Sequence, residues 1–332
     1  MGLNNIEETV ILENNTKDKK IIKNLKVREN ITKKKDTFLY ILQTLVILNI
    51  IFNISCFELI SIRTSYIEYG SNVKICYSRY ISEVYLNGDK IDTNTSKNEY
   101  YQYSWNTLYI KFNNRHNNDI MLNFSNYIYN AKEMFNGCDK IETINFYYFN
   151  MAHITNMQKM FSSCTSLKAV YNFNTTEATD VSNMFYDCTS LNSITFRSYT
   201  NNKVLNMKYM FYNCKSLSTI NLDYFDTKNV KYMNSMFENC ENLYSINFRH
   251  NFEYIYSMNN MFKNCRTLRY IYFNSNFQIN NQITMNSMCE NCENLESINF
   301  NSNFNVYSTI SMNSMFKDCK KLISVYFYNI NV

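Results

Sequence analysis

Proline is absent from this 332-residue chain, glycine occurs four times, histidine three times and tryptophan once. Each scarcity removes a class of function. Four glycines do not build a glycine-rich phosphate cradle, so nucleotide-binding loops are excluded. His116, His153 and His250 stand far apart with no evident nucleophile or ligand beside them, against a histidine-based triad or a zinc site. With so little Gly and no Pro, Asn must supply most of the bends, because it tolerates left-handed backbone better than other non-glycine residues. Charge is nearly balanced at +5, and much of the excess is local. Residues 1–37 hold nine Lys or Arg against six Asp or Glu and end in Lys33-Lys34-Lys35. Elsewhere bases alternate with acids, so no phosphate-binding stripe and no nucleic-acid partner is expected.

One long uncharged run is present, FLYILQTLVILNIIFNISCF from Phe38 to Phe57. As a helix it would be roughly 30 Å long, the thickness of a bilayer core. Gln43, Thr44, Asn49, Asn53 and Ser55 interrupt it, but it shows no polar periodicity. A cleaved signal would have a shorter leading region than 37 residues, and Asn53-Ile54-Ser55 before Cys56 fits a lipoprotein box poorly. The basic cluster on its N-terminal side leads to an expected single membrane span at 38–57. A flexible cytoplasmic tail at 1–37 would precede it, and the rest of the chain would lie outside the cell. Gly2 does not open a myristoylation motif, because Ile6 occupies the Ser/Thr position.

The dominant signal is a repeat. Met-Phe-x-x-Cys-x-x-Leu/Ile-x-x-Ile/Val begins at Met134, Met160, Met184, Met210, Met236, Met261, Met288 and Met315, with Cys289 replacing Phe in the seventh copy. The spacings are 26, 24, 26, 26, 25, 27 and 27 residues, a period that means a solenoid. Before each Cys, apolar residues fall at i, i+3, i+4 and i+7, as in Met233, Met236, Phe237 and Cys240, which predicts a short helix. After it, Leu243, Ile246 and Phe248 end in a two-residue alternation that predicts a strand. The expected architecture is α/β: a leucine-rich-repeat-like solenoid of about eight strand–short-helix repeats over 131–332. Each unit buries little alone and gains a core by stacking.

These motifs resemble the BspA-type leucine-rich-repeat surface proteins, a mycoplasma-lipoprotein-like repeat with M-x-x-M-F-x-x-C-x-x-L and F-x-T-x-x-V-x-x-M. The match is best at Phe225-Asp226-Thr227-Lys228-Asn229-Val230-Lys231-Tyr232-Met233. The resemblance implies a cell-surface protein of adhesion or host and matrix contact, without catalytic residues.

Residues 63–130 lack the repeat and alternate like strands around Asn87-Gly88, so they read as a small β-rich cap on the first repeat. The last strand pattern runs to Val332 with no evident cap, so the final repeat is expected to pair with a partner or fray. One Cys per repeat forms a single-file column, suited to core packing and not to a tetrahedral metal site. Cys56 and Cys76 lie outside the column and read as the candidates for modification or pairing.

The outward positions of the strands form two columns. The first is Thr143, Ala169, Ser193, Thr219, Ser245, Tyr270, Ser297 and Ser324. The second is Asn145, Tyr171, Thr195, Asn221, Asn247, Tyr272, Asn299 and Tyr326. This polar floor, studded with tyrosines, is the candidate ligand-binding face for a protein or glycan, with Tyr171, Asn221, Asn247, Tyr270, Tyr272, Asn299 and Tyr326 as contact residues. Glycosylation sequons stand at Asn94, Asn123 and Asn174. The expected function is membrane-anchored adhesion or recognition through the solenoid, with no catalysis, metal or cofactor. A membrane-tethered intracellular protein-binding scaffold is the alternative.

Overall fold

The computed structural model of the chain describes residues 58–326, apart from 66–71, 78–80, 92–100, 105–106, 113–117, 125–127, 198–200, 274–276, 280–281, 301–303 and 307–309. All of these belong to one compact unit, Phe57–Val332. The leading strands are β1 (Glu58–Thr64), β2 (Asn72–Tyr77), β3 (Ile81–Leu86), β4 (Asp89–Ile91), β5 (Tyr101–Ser104), β6 (Thr107–Lys111) and β7 (Asp119–Phe124). The repeats supply β8 (Ile141–Tyr148), β9 (Ala169–Phe173), β10 (Ser193–Phe196), β11 (Ser245–Phe248), β12 (Tyr270–Phe273) and β13 (Phe277–Ile279). They continue with β14 (Ile283–Thr284), β15 (Ser297–Asn299), β16 (Phe304–Val306), β17 (Ile310–Ser311) and β18 (Ser324–Tyr326).

The repeats stack, but as a β-solenoid. The expected α/β, strand–helix character is wrong: among the described residues the only helical turn is the 3-10 piece Thr227–Asn229, capped by Asp226. The reason lies in where alternate N–H groups point. In the fifth rung Met233, Ser235, Phe237 and Asn239 donate to Ser257, Asn259, Met261 and Lys263 of the next rung, at 2.8–2.9 Å. The residues between them, Met236, Glu238 and Cys240, donate instead to Met233, Ser235 and Phe237 of their own rung. A helix would need every N–H to bond four residues back. Here consecutive tight turns share the donors with a parallel neighbour.

Those turns require left-handed backbone, as the third position of a type II turn does. Two such residues recur per rung. One precedes the Met: Glu133, Lys159, Asn183, Tyr209, Ser235, Asn260, Ser287 and Ser314. The other precedes the Cys: Gly137, Ser163, Asp187, Asn213, Asn239, Asn264, Asn291 and Asp318. The second set is all Asn, Asp, Ser or Gly, and Gly, Asn and Asp bear this conformation most readily. It is also tied between rungs, Asn264 Nδ2 donating to Asn239 Oδ1 and Asn291 Nδ2 to Asn264 Oδ1, both at 2.8 Å. Asparagine therefore does much of the bending that the absence of proline and the shortage of glycine demand.

Inside, identical side chains meet one rung apart. Phe135, Phe161, Phe185, Phe211, Phe237 and Phe262 form one buried column with ring planes nearly parallel at 5.0–5.7 Å. Cys289 ends the run. From Cys164 to Cys319 each thiol of the repeat column donates to a backbone carbonyl of the previous rung, as Cys214 Sγ does to Phe185 O at 3.1 Å, and all but the half-buried Cys319 are buried. Burial pushes up the thiols of Cys138, Cys188, Cys214, Cys240 and Cys265, and that of Cys164 to about 12. Cys76 is sealed in the cap, a free thiol likewise pushed up by burial, so it does not fit the role of an accessible modified cysteine.

Besides the short parallel pairs β13–β16 and β14–β17, the parallel strands of the outward face fall into two groups. A seven-stranded sheet runs β10-β9-β8-β1-β7-β3-β4, and a four-stranded sheet runs β11-β12-β15-β18. Between them the rung at 217–223 forms no strand. That rung carries Leu222 where its neighbours have Phe196 and Phe248, so the aromatic column beneath the sheet loses a ring there. At the front, β1 pairs antiparallel with both β7 and β8 and closes the edge of the first rung. The cap also continues the thiol ladder: Cys138 Sγ donates to Ile75 O of β2 at 3.2 Å, and Lys74 Nζ to Asn136 O at 2.5 Å.

The membrane placement needs correcting. Among the described residues no helix is long and apolar enough to cross a membrane. The single-pass arrangement with a cytoplasmic N-terminus and extracellular repeats is therefore not supported, and the expected tail at 1–37 and span at 38–57 lie outside the described residues. The Cys56 assignment lies there too.

Candidate ligand-binding face

The registers of β11, β12, β15 and β18 align the last four members of each outward column. β11 and β12 pair Ser245 with Tyr270 and Asn247 with Tyr272; β15 adds Ser297 and Asn299; β18 adds Ser324 and Tyr326. The alternate residues Ile246, Phe248, Ile271, Phe273 and Ile298 are buried. Beneath the face, Phe248, Phe273 and Phe300 stack at 5.0 and 4.9 Å with nearly parallel rings, which holds the rungs above them in register.

The seven candidate residues do not form one site. Asn247, Tyr270, Tyr272, Asn299 and Tyr326 share the four-stranded sheet. Tyr171 lies on β9 of the other sheet, paired with Asn145. Asn221 sits in the unpaired rung between them, exposed, with Oδ1 accepting the Asp223 N–H at 2.8 Å. The division falls at the rung that carries Leu222.

Tyr270 and Tyr272 stand on one strand with ring centroids 6.2 Å apart. Tyr244 meets Tyr270 edge-on at 6.3 Å, and the Arg269 guanidinium lies 5.6 Å over the Tyr244 ring. The Tyr270 hydroxyl donates to Glu296 Oε2 at 2.7 Å, which raises the phenol above its usual range, and Glu296 also pairs with Arg269 at 3.3 Å. Tyr272 is 36% and Tyr326 47% exposed. Sequence reasoning missed Tyr244, Arg269 and Glu296. Their signal was available: each directly precedes an outward residue of the first column on successive strands, so the stacking that aligned that column also aligns them.

Several other charges among the described residues pair across rungs. Lys168–Glu142, Lys203–Glu177, Arg249–Asp223 and Lys215–Glu241 join residues one repeat apart. At the C-terminal end Glu290 receives both Lys263 at 2.9 Å and Lys317 at 3.0 Å, and those two ammonium groups hold its carboxyl at about 2. No group of three or more metal-ligating side chains occurs among the described residues. Of the sequons, Asn94 lies outside the described residues. Asn123 is buried with its amide donating to Glu83 at 3.1 Å, so it is closed to glycosylation in the folded chain.

A family model described as Mycoplasma protein of unknown function, DUF285, matches residues 129–246 and 247–330. The chain belongs to this family. The two DUF285 segments together span every rung from the first turn to the last strand and leave out the cap. Their junction falls within β11, between Ile246 and Asn247, beyond the unpaired rung. No curated protein and no solved structure matches the chain. The repeat family and the solenoid are compatible with a repeat-based surface or binding protein.

Proposed function

We propose that the chain is a non-catalytic recognition protein that holds its ligand on the outward face of β11, β12, β15 and β18. The observation that carries this reading is the Tyr270–Tyr272 pair, two adjacent rings on one rigid strand with Tyr244 completing an aromatic shelf. Tyrosine offers a large apolar body with a polar tip and little conformational entropy to lose, which suits it to anchor a partner. The BspA-type resemblance of the repeats favours recognition over catalysis. So does the burial of the cysteine column, where a thiol such as that of Cys240 is pushed up by desolvation and stays neutral, away from solvent.

The test is a binding screen of the full chain against matrix proteins and glycans, beside the double variant Tyr270→Ala/Tyr272→Ala. Loss of the retained ligand in the variant, with unchanged circular dichroism, is expected. Equal retention by both proteins removes this face as the binding site.

A further inference from the structure

We propose that this face takes an uncharged glycan laid across the strands, with Tyr272 and Tyr326 stacking on sugars two rungs apart and Asn299 hydrogen-bonding the sugar between them. The inference rests on the reading that this sheet binds a ligand, and adds the ligand's class and path.

The second column reads Asn247, Tyr272, Asn299, Tyr326 on four successive paired strands. Amide and ring alternate with a period of two rungs. Neighbouring strands are about 4.8 Å apart, so the two tyrosines stand roughly 10 Å apart. A pyranose in an extended chain is about one rung long, so a chain running along the stack meets amide, ring, amide and ring in turn. The Phe248–Phe273–Phe300 stack below holds the rungs of Asn247, Tyr272 and Asn299 in register before any ligand arrives, which lowers the cost of binding.

The chemistry selects the class. The column beside it is Ser245, Tyr270, Ser297 and Ser324, so neither column contains a charge. Of the flanking charges, Arg269 and Glu296 neutralise each other at 3.3 Å, Tyr270 takes the second Glu296 oxygen, and Arg249 on the other side pairs with Asp223 at 3.0 Å. An acidic or sulfated ligand therefore finds no attracting field. A protein partner would favour a desolvated apolar centre, where serine is depleted. Amides and hydroxyls that both donate and accept, set between flat rings, match sugar hydroxyls that do the same.

The experiment titrates the full chain with uncharged β-linked hexasaccharides of glucose and of N-acetylglucosamine, with a sulfated heparin hexasaccharide as the charged comparison. At least one uncharged chain is expected to bind. Tyr272→Ala and Tyr326→Ala should each weaken it about tenfold, whereas Tyr272→Phe and Tyr326→Phe, which keep the stacking ring, should stay within about twofold. A disaccharide, too short to reach both rings, should lose most of the affinity. Binding to none of the uncharged chains, preference for the sulfated one, or unchanged affinity in both alanine variants overturns the glycan assignment. If a matrix protein is then retained and is lost in Tyr270→Ala/Tyr272→Ala, the face still binds, and only the glycan inference has failed.

Discussion

The Cys214 thiol donates to the carbonyl oxygen of Phe185 at 3.1 Å, and that same oxygen accepts the backbone N–H of Cys188 from its own rung. The relationship repeats along the solenoid, from Cys164 on Phe135 to Cys292 on Phe262. It explains why a small residue with a weak donor recurs at this position. The slot has no room for a large side chain, and the buried carbonyl has a second lone pair to satisfy.

Cys214→Ala should therefore cost about 1–2 kcal/mol, from one unmade hydrogen bond and a small void, whereas Cys214→Ser should cost less if its hydroxyl replaces the donor. Denaturant unfolding monitored by far-UV circular dichroism measures both. A serine variant less stable than the alanine one would show that packing alone holds the position.

Thiol chemistry should follow burial. The cysteines from Cys138 to Cys292 should resist alkylation at neutral pH in the native chain and react fully once it is unfolded. Cys319, half-buried in the last rung with its thiol pushed up to about 12, should be the first of the repeat cysteines to react. Mass spectrometry after timed alkylation gives the order. Early labelling of Cys214 would contradict the sealed ladder.

Asn239 combines a φ of +64° with a side chain that accepts from Asn264 at 2.8 Å. Asn239→Ala should destabilise by about 1–2 kcal/mol through left-handed strain and the lost bond. Asn239→Gly, which removes the strain and only the bond, should be the milder change. The comparison of the two midpoints separates the backbone contribution from that of the ladder.

Phe211 stacks between Phe185 at 5.5 Å and Phe237 at 5.3 Å, fully buried. Phe211→Ala should cost about 3–5 kcal/mol, and Phe211→Leu much less. Thermal unfolding of the pair checks it; equal effects would mean that filling the space left by the ring restores nothing.

Glu290 carries a pH dependence with a definite sign. Its carboxyl titrates at about 2 in the fold, held down by Lys263 first and Lys317 second, against a usual value of 4.5. A depressed carboxyl stabilises the fold above its unfolded value and loses that contribution as pH falls from 4.5 towards 2. Glu290→Gln should therefore be less stable than the parent at neutral pH, and the gap should narrow over that acid range. A difference that stays constant down to about pH 2 would rule out the two-lysine clamp.

The sequence by itself determined which side chains are inside and which neighbours they meet. Met233, Met236, Phe237 and Cys240 are all buried, as their spacing implied, and the outward pairs Ser245–Tyr270 and Asn247–Tyr272 fall in the register that the period required. Burial pattern and repeat length are properties of the chain alone, because every rung meets a near-copy of itself. The backbone path was decided by tertiary structure. The spacing that puts four apolar residues on one face of a helix also puts them inside a stack of tight turns. The choice between the two depends on whether the N–H of Ser235 finds a carbonyl in its own rung or that of Asn259 in the next. The division of the candidate face was decided there too. Leu222 looks conservative in the string of letters, yet it removes a ring from a column that exists only when rungs stack, and the rung that carries it is the one where the strands stop pairing.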